Sequence, residues 1–344
     1  MTNAPTVSVA LLREAAERAG SRALERLGQV RALLGEEMFA VDSELARLTR
    51  DGVAPATDSA IHLLEAGGKR VRPLTVLLSA ACFDVPSPAA RDLAVAAELV
   101  HLATLLHDDV IDDGQQRRGR PTPRLVWGNA VSVLAGDLLL THALERTAAV
   151  AAPPVLTDLF ATLRRLVDGE VVQLRGRTLL DVREETYFRI AEDKTASLFA
   201  WAARSGALSA GASAEAATVL GEFGGRLGIA FQLVDDLLDY AGDPRETGKA
   251  VLSDLTEGKL TLPLIRAMAA SPTLIEDVQV ARSGNAAAAA RVAAAVRFSG
   301  VCDGVRTLAL EETRRAAESL QALEPSVARD LLAAIARELA SRVS

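Results

Sequence analysis

Apolar residues recur at three-to-four spacing along almost the whole chain, and no stretch keeps the strict alternation of a half-buried strand. Residues 8–50 set apolar pairs against Arg and Glu at that spacing and read as one or two amphipathic helices. Ala56–Glu65 reads as another, with Asp58 or Ser59 near its start and Gly67-Gly68 as a stop. Pro73 reads as the first residue of the next apolar helix, and residues 86–112 carry one whose polar groups gather at the C-terminal end. Helices are further expected at about 129–150, 154–176, 184–209, 213–242, 259–270 and 308–342. The alanine run 286–295 is a helix too, alanine being the best helix former. The polar stretches 114–123 and 243–258 read as loops, with no hairpin signal. The expectation is an all-α fold, one domain over residues 1–344, with many long helices around a deep central hydrophobic cavity.

Composition narrows the function. Of 344 residues 49% are apolar, enough for a large core, and 3% are aromatic. A net charge of -7 argues against nucleic acid as a partner, though a few local cations suffice for a small anion. Cys82 and Cys302 stand far apart and read as small buried residues rather than metal ligands. Residues 1–12 lack the charged start and apolar run of a signal peptide. The longest nearly uncharged stretch, 93–106, is too short to span a membrane and is interrupted by Glu98 and His101. A cytoplasmic protein without a transmembrane segment is expected.

Two aspartate clusters carry the chemistry. Asp108, Asp109 and Asp112 form one D-D-x-x-D run, and Asp235, Asp236 and Asp239 form the other. On a helix, Asp108 stacks over Asp112 and Asp235 over Asp239. Like charges at that spacing destabilise a helix by a few tenths of a kcal/mol, and flanking Leu, Val and Ile raise the cost. Magnesium resolves the conflict: it takes oxygen ligands and binds through one or two carboxylates plus substrate phosphates. Two such helices facing each other could hold several ions around a diphosphate.

Cations follow each cluster. Arg117, Arg118 and Arg120 come after the first, and Lys249 and Lys259 after the second, placed to neutralise phosphate oxygens. Lys69, Arg70 and Arg72 crowd before the helix at Pro73, where positive charge opposes the helix dipole unless an anion intervenes. Taken alone, Lys194 reads as a snorkelling side chain and His101 as a hydrogen-bonded core residue. Gln173 and Gln232, inside apolar stretches, need partners if buried.

Together these motifs resemble the trans-isoprenyl diphosphate synthases, the polyprenyl synthetase family. The resemblance covers Gly67-Gly68-Lys69-Arg70-Val71-Arg72-Pro73, Glu98-x-x-His101 leading into the first cluster, and Arg117-Arg118-Gly119. It continues through Gly136-Asp137, Lys194-Thr195-Ala196, Phe231-Gln232 with the second cluster, and Gly258-Lys259-x-Thr261-Leu262-Pro263, spanning about residues 60–265. It implies the isoprenoid synthase fold, a homodimer, and loose membrane association at most for product release. It implies about three magnesium ions per site, ligated by Asp108, Asp112 and Asp235, with Asp109, Asp236 and Asp239 ligating or supporting. The allylic diphosphate would meet Arg117, Lys194, Lys249 and Lys259, and isopentenyl diphosphate would meet Lys69, Arg72, His101 and Arg118. Thr195 and Gln232 would face the developing carbocation, and Gln173 would line the same cavity. The implied activity is head-to-tail condensation of the two diphosphates.

Product length is read one helical turn before the first cluster, at Ala103 and Thr104. Both are small, and Leu139, Ala143 and Leu144 add no aromatic stop, so a long polyprenyl product for a quinone side chain is expected over a farnesyl or geranylgeranyl one. A class I terpene cyclase would pair the first cluster with an Asn, Ser/Thr and Glu motif, which residues 235–239 do not match. A non-catalytic regulatory subunit predicts eroded aspartates, and both clusters are intact. The lack of a glycine after Lys249 puts the geometry of that loop in question.

Overall fold

The computed structural model describes residues 21–150, 152–241 and 253–341. Its N-terminal half runs α1 (Ser21–Leu48), α2 (Ala56–Glu65), α3 (Val71–Ala81), α4 (Pro88–Ile111), β1 (Gln116–Arg117), β2 (Arg120–Pro121), α5 (Pro123–Trp127), α6 (Asn129–Val150) and α7 (Pro153–Leu179). Then come α8 (Glu184–Ile190), a π-helical turn (Ala191–Ala196), α9 (Ser197–Ser209) and α10 (Ala214–Ala241). The remainder is α11 (Ser253–Thr256), α12 (Leu262–Ala270), α13 (Leu274–Arg282), α14 (Ala286–Phe298), α15 (Val301–Ser319), a 3₁₀ turn (Leu320–Ala322) and α16 (Val327–Ser341). The all-α expectation holds.

Four local readings need correction. Helix α3 begins at Val71 rather than Pro73, behind Arg70 in the left-handed region (φ 49°). Proline is tolerated through a helix's first turn because the N–H it lacks has no partner there. Residues 114–123 contain a small antiparallel hairpin, with Arg117 opposite Arg120. Its central residues Arg118 and Gly119 both have positive φ, 52° and 75°, as a type I′ turn requires, but arginine is not the residue that announces one. The helix expected over 184–209 widens into a π turn between α8 and α9. The one expected over 308–342 is two, α15 and α16, parted near Pro325, which disfavours helical backbone at the residue before it. Helices α5, α11 and α13 had no counterpart in the periodicity, α11 lying within the stretch 243–258 expected to be loop.

Helix α4 runs through the centre. Leu93, Ala94, Val95, Ala96, Ala97, Leu99 and Val100 are all at most 1% exposed, so it is apolar on every side. Ser87 caps it by accepting from the Ala90 N–H (3.2 Å), with Pro88 in the first turn. Here and elsewhere in the fold, elements approach closely at glycines. A Cβ on Gly136 of α6 would lie 2.3 Å from His107 Nε2, and one on Gly228 of α10 would lie 2.5 Å from Ala196 Cα. A smaller apolar cluster joins Tyr240, at the end of α10, to Leu264, Met268, Val278, Val292 and Val296 of α12–α14. The end of α10 is thus tied to α12–α14, which follow Lys259.

Candidate active site

Both aspartate clusters sit at helix C-terminal ends, where the backbone dipole already presents negative charge. Asp112 is the C-cap of α4, still in helical conformation, so the stacking of Asp108 and Asp112 is kept. Such an arrangement needs cations, and each carboxylate of the first cluster has one. Arg117 Nη2 donates to Asp109 Oδ1 (2.8 Å), bringing the hairpin back over the helix end. Lys194 Nζ lies 3.4 Å from Asp108 Oδ2 and also pairs with Glu170 of α7. Asp112 holds two: Lys259 Nζ at 2.8 Å from Oδ2, and Arg177 of α7 on Oδ1.

The π turn joins this cluster to the second. It carries Lys194 and Thr195 side by side, and π turns are frequent at functional sites. Gly169 of α7 lets the turn come close, since a Cβ there would lie 3.0 Å from the Lys194 main-chain nitrogen. Thr195 Oγ1 donates to Gln232 Oε1 (2.8 Å), and Gln232 Nε2 donates to Asp236 Oδ1 (2.8 Å). The Leu262 N–H donates to Asp236 Oδ2 (3.1 Å), so Asp236 also anchors the first turn of α12. Burial, with Asp254 nearby, pushes the Asp236 carboxyl up to about 7, while Gln232, Tyr187 and the Leu262 N–H oppose it. Gln173 donates to Glu170 Oε1 (3.2 Å), one turn away on α7.

The third group of residues lies around the start of α3. Arg70 is buried and taken up by Asp42 (3.1 Å) and Glu98 (2.8 Å), so it serves the fold. Arg72 stacks its guanidinium 4.5 Å over the Phe199 ring, and its buried Nε has no hydrogen-bond partner. Burial pulls its pKa down to about 10, against Glu98, so it stays cationic. Burial, and then Arg72, Arg118, Arg117 and Arg70, hold His101 far below the ordinary histidine range, hence neutral. Arg118 borders Gly68, whose Cβ would be 3.3 Å from its Nη1, and the half-buried Lys69 lies between Gly68 and Arg70. Several cations around a neutral imidazole make an anion pocket, with an orphan N–H as its sharpest feature.

Lys249 lies outside the described residues, as does most of the loop expected over 243–258. Ala103 is buried and Thr104 half-buried, its hydroxyl turned back to the His101 carbonyl (2.8 Å). Leu139 and Ala143 are buried on α6, facing away from solvent, and Leu144 is half-buried. Sequence reasoning missed Glu170 and Arg177, and only Gln173 at three-residue spacing hinted that Glu170 faces inward.

The carboxylates differ in access. Asp108, Asp112 and Asp235 stay partly open, whereas Asp109, Asp236 and Asp239 are buried. An all-oxygen donor set on adjacent turns, backed by exchangeable cations, suits magnesium better than a softer metal.

Comparisons with known proteins agree in direction. A family profile described as Polyprenyl synthetase matches residues 54–297. The chain is 37% identical over 316 residues to the all-trans-nonaprenyl-diphosphate synthase (geranyl-diphosphate specific) of Rhodobacter capsulatus, covering 91% of this chain and 97% of that one. It is 35% identical over 317 residues to heptaprenyl diphosphate synthase component 2 of Geobacillus stearothermophilus, covering 92% and 99%. The crystal structure of a polyprenyl synthase from Caulobacter crescentus, complexed with calcium and isoprenyl diphosphate, superposes with a TM-score of 0.87 at 35% identity, covering 92% and 98%.

Proposed function

The chain belongs to the polyprenyl synthetase family, and from that premise we propose how its own residues work as a long-chain trans-polyprenyl diphosphate synthase. It is a prenyltransferase with the isoprenoid synthase fold, condensing isopentenyl diphosphate head-to-tail onto an allylic diphosphate. The observation that carries the site assignment is the run Asp108–Lys194-Thr195–Gln232–Asp236, which links both aspartate clusters through one π turn.

Family members generally use magnesium. In this reading Asp108, Asp112 and Asp235 hold the ions, three per site, while Asp109, Asp236 and Asp239 keep the helix ends in register. Bound magnesium would stabilise negative charge on the departing diphosphate. Lys194, Lys259, Arg117 and Lys249 are then the cations offered to the allylic diphosphate, the first three leaving the carboxylates they now neutralise. Lys69, Arg72, Arg118 and the neutral His101 hold isopentenyl diphosphate, a phosphate oxygen meeting the orphan Arg72 Nε. The Thr195 hydroxyl and Gln232 amide oxygen turn their lone pairs toward the allylic cation, and Gln173 lines the same cavity. Growth of the chain past Ala103 and Thr104 gives the long product.

The described part of α7 exposes Phe160, Val167, Val171 and Leu174 at helical spacing, and α6 exposes Val133 and Leu134. Covering that stripe with a second copy gives a homodimer. The name of the Geobacillus relative speaks of a component, so purified protein that is monomeric and inactive alone would favour a separate partner subunit. Among the described residues no helix is long and apolar enough to cross a membrane. A cytoplasmic, single-domain enzyme that touches membranes only to release product is the proposal.

Incubation with magnesium, an allylic diphosphate and labelled isopentenyl diphosphate, followed by chromatography, tests the activity and the product at once. No elongated product with any allylic primer would sink the reading. Ala103→Phe or Thr104→Phe should shorten the products by several prenyl units, and unchanged lengths would remove the tunnel argument.

A further inference from the structure

Among the described residues Asp112 is the one aspartate of the first cluster that holds two cations, and Arg177 is the one that no motif called for. The Arg177 Nη2 donates to Asp112 Oδ1 while Lys259 Nζ approaches Oδ2. The arginine side chain is only 13% exposed, and its Nε–H is buried with no hydrogen-bond partner. A buried guanidinium N–H without a protein acceptor, beside a carboxylate of the proposed anion site, is a donor that an oxygen ligand would satisfy. Its backbone is held as well: Arg282 of α13 donates to the Arg177 carbonyl and lies over Gly258, the residue before Lys259. Arg177, Lys259 and Asp112 are therefore one braced group rather than a surface ion pair.

We propose that Arg177 is a diphosphate-binding residue of the allylic half of the site, parked on Asp112 until substrate arrives. Asp112 accepts from the Arg177 guanidinium and shares the Lys259 ammonium with Glu257 (2.5 Å), so a divalent ion on Asp112 would compete with Arg177 for the same carboxylate, whereas Lys259 keeps Glu257 as a partner. With Asp112 given over to a metal ion, Arg177 would need another anion, and a substrate diphosphate would supply it. The planar fork of arginine fits phosphate oxygens, and turning to them also gives its Nε–H an acceptor. The inference rests on the reading of the first cluster as a diphosphate site.

Calorimetric titration of inorganic diphosphate, in the presence of magnesium and without turnover, separates the two. Wild-type protein binds; Arg177→Gln binds about tenfold more weakly, the loss of roughly one charge-assisted contact. Arg177→Lys, which keeps the charge and loses the fork, loses about threefold. In steady state the KM for the allylic diphosphate rises in Arg177→Gln by a similar factor while that for isopentenyl diphosphate stays put. Equal diphosphate affinity in wild type and Arg177→Gln, with only the melting temperature lowered, overturns the proposal and leaves Arg177 a structural brace. Should Arg177→Gln fail to fold, undiminished affinity in Arg177→Lys overturns it equally. Wild-type protein that binds no diphosphate at all overturns the reading of the site together with the inference.

Discussion

The two aspartate clusters share a spacing and a place, the last turns of a long apolar helix, yet among the described residues the partners of the first cluster differ in kind from those of Asp236 in the second. Around the first, every partner in view is a cation on a long side chain: Arg117 from the hairpin, Lys194 from the π turn, Arg177 from α7 and Lys259 from the approach to α12. Around Asp236 in the second, the hydrogen-bond donors are the Gln232 amide and the Leu262 N–H. Long cations can change partners at little cost where the carboxylate they leave is itself taken over, as Asp108 and Asp112 would be by metal, and a phosphate keeps the cation paired. An amide and a main-chain N–H cannot leave. The same motif thus gives one cluster built to exchange partners and one whose middle aspartate is built into the frame.

The sharpest break of that comparison comes from neutralising one member of each. Asp108→Asn removes a charge from the exchangeable cluster and should lower kcat by about 10³-fold, the scale of losing electrostatic stabilisation at a reacting group. Its melting temperature should hardly move, since Lys194 keeps Glu170 as a partner. Steady-state kinetics beside a thermal melt decides it, and a loss under tenfold would take Asp108 out of the machinery.

Asp236→Leu should do the reverse in emphasis. It strands the Leu262 N–H and the Gln232 amide in the interior, costing about 1–3 kcal/mol for each buried group left unpaired. Urea denaturation should show that loss, and Asp236→Asn, whose carbonyl can still accept from Leu262, should recover part of it. If Asp236→Leu is as stable as wild type, Asp236 is not the anchor of α12 and its role moves toward ligation.

Much of this was legible before any coordinates. The long periodic segments gave α2 to the residue and α6, α7 and α10 to within a few, because each buries a continuous apolar face. Family membership followed from the ordered motifs. What escaped depends on contacts between distant parts of the chain. Arg177 looks like any charged residue near a helix end, and only the fold brings it against Asp112, 65 positions earlier. The π turn escaped because it shows in sequence only as a one-residue slip of the apolar pattern, and in a segment apolar on most sides such a slip does not register. The hairpin escaped because Arg118 takes a left-handed conformation usually left to Asn or Gly. The smaller core of α12–α14 was half seen, its α13 too short for periodicity to register.

The smallest expected effect tests whether proximity in sequence to a cluster means membership in it. Arg117 and Arg120 face each other across the hairpin, three residues apart. Arg117 meets the buried Asp109 at 2.8 Å, whereas Arg120 meets Glu65 at 3.8 Å with both side chains well exposed. Arg117→Ala leaves a buried carboxylate without its countercharge, and Asp109 already has its pKa raised by burial despite that arginine. Breaking such a pair costs about 3–5 kcal/mol when fully buried, and somewhat less here because the Arg117 side chain is a quarter exposed. Arg120→Ala should shift stability by less than about 1 kcal/mol, as exposed pairs do, and leave diphosphate affinity unchanged. Parallel denaturation curves would show the gap. An Arg120→Ala variant that loses diphosphate binding would mean that the hairpin works as a whole, with Arg120 a third working side chain beside Arg117 and Arg118.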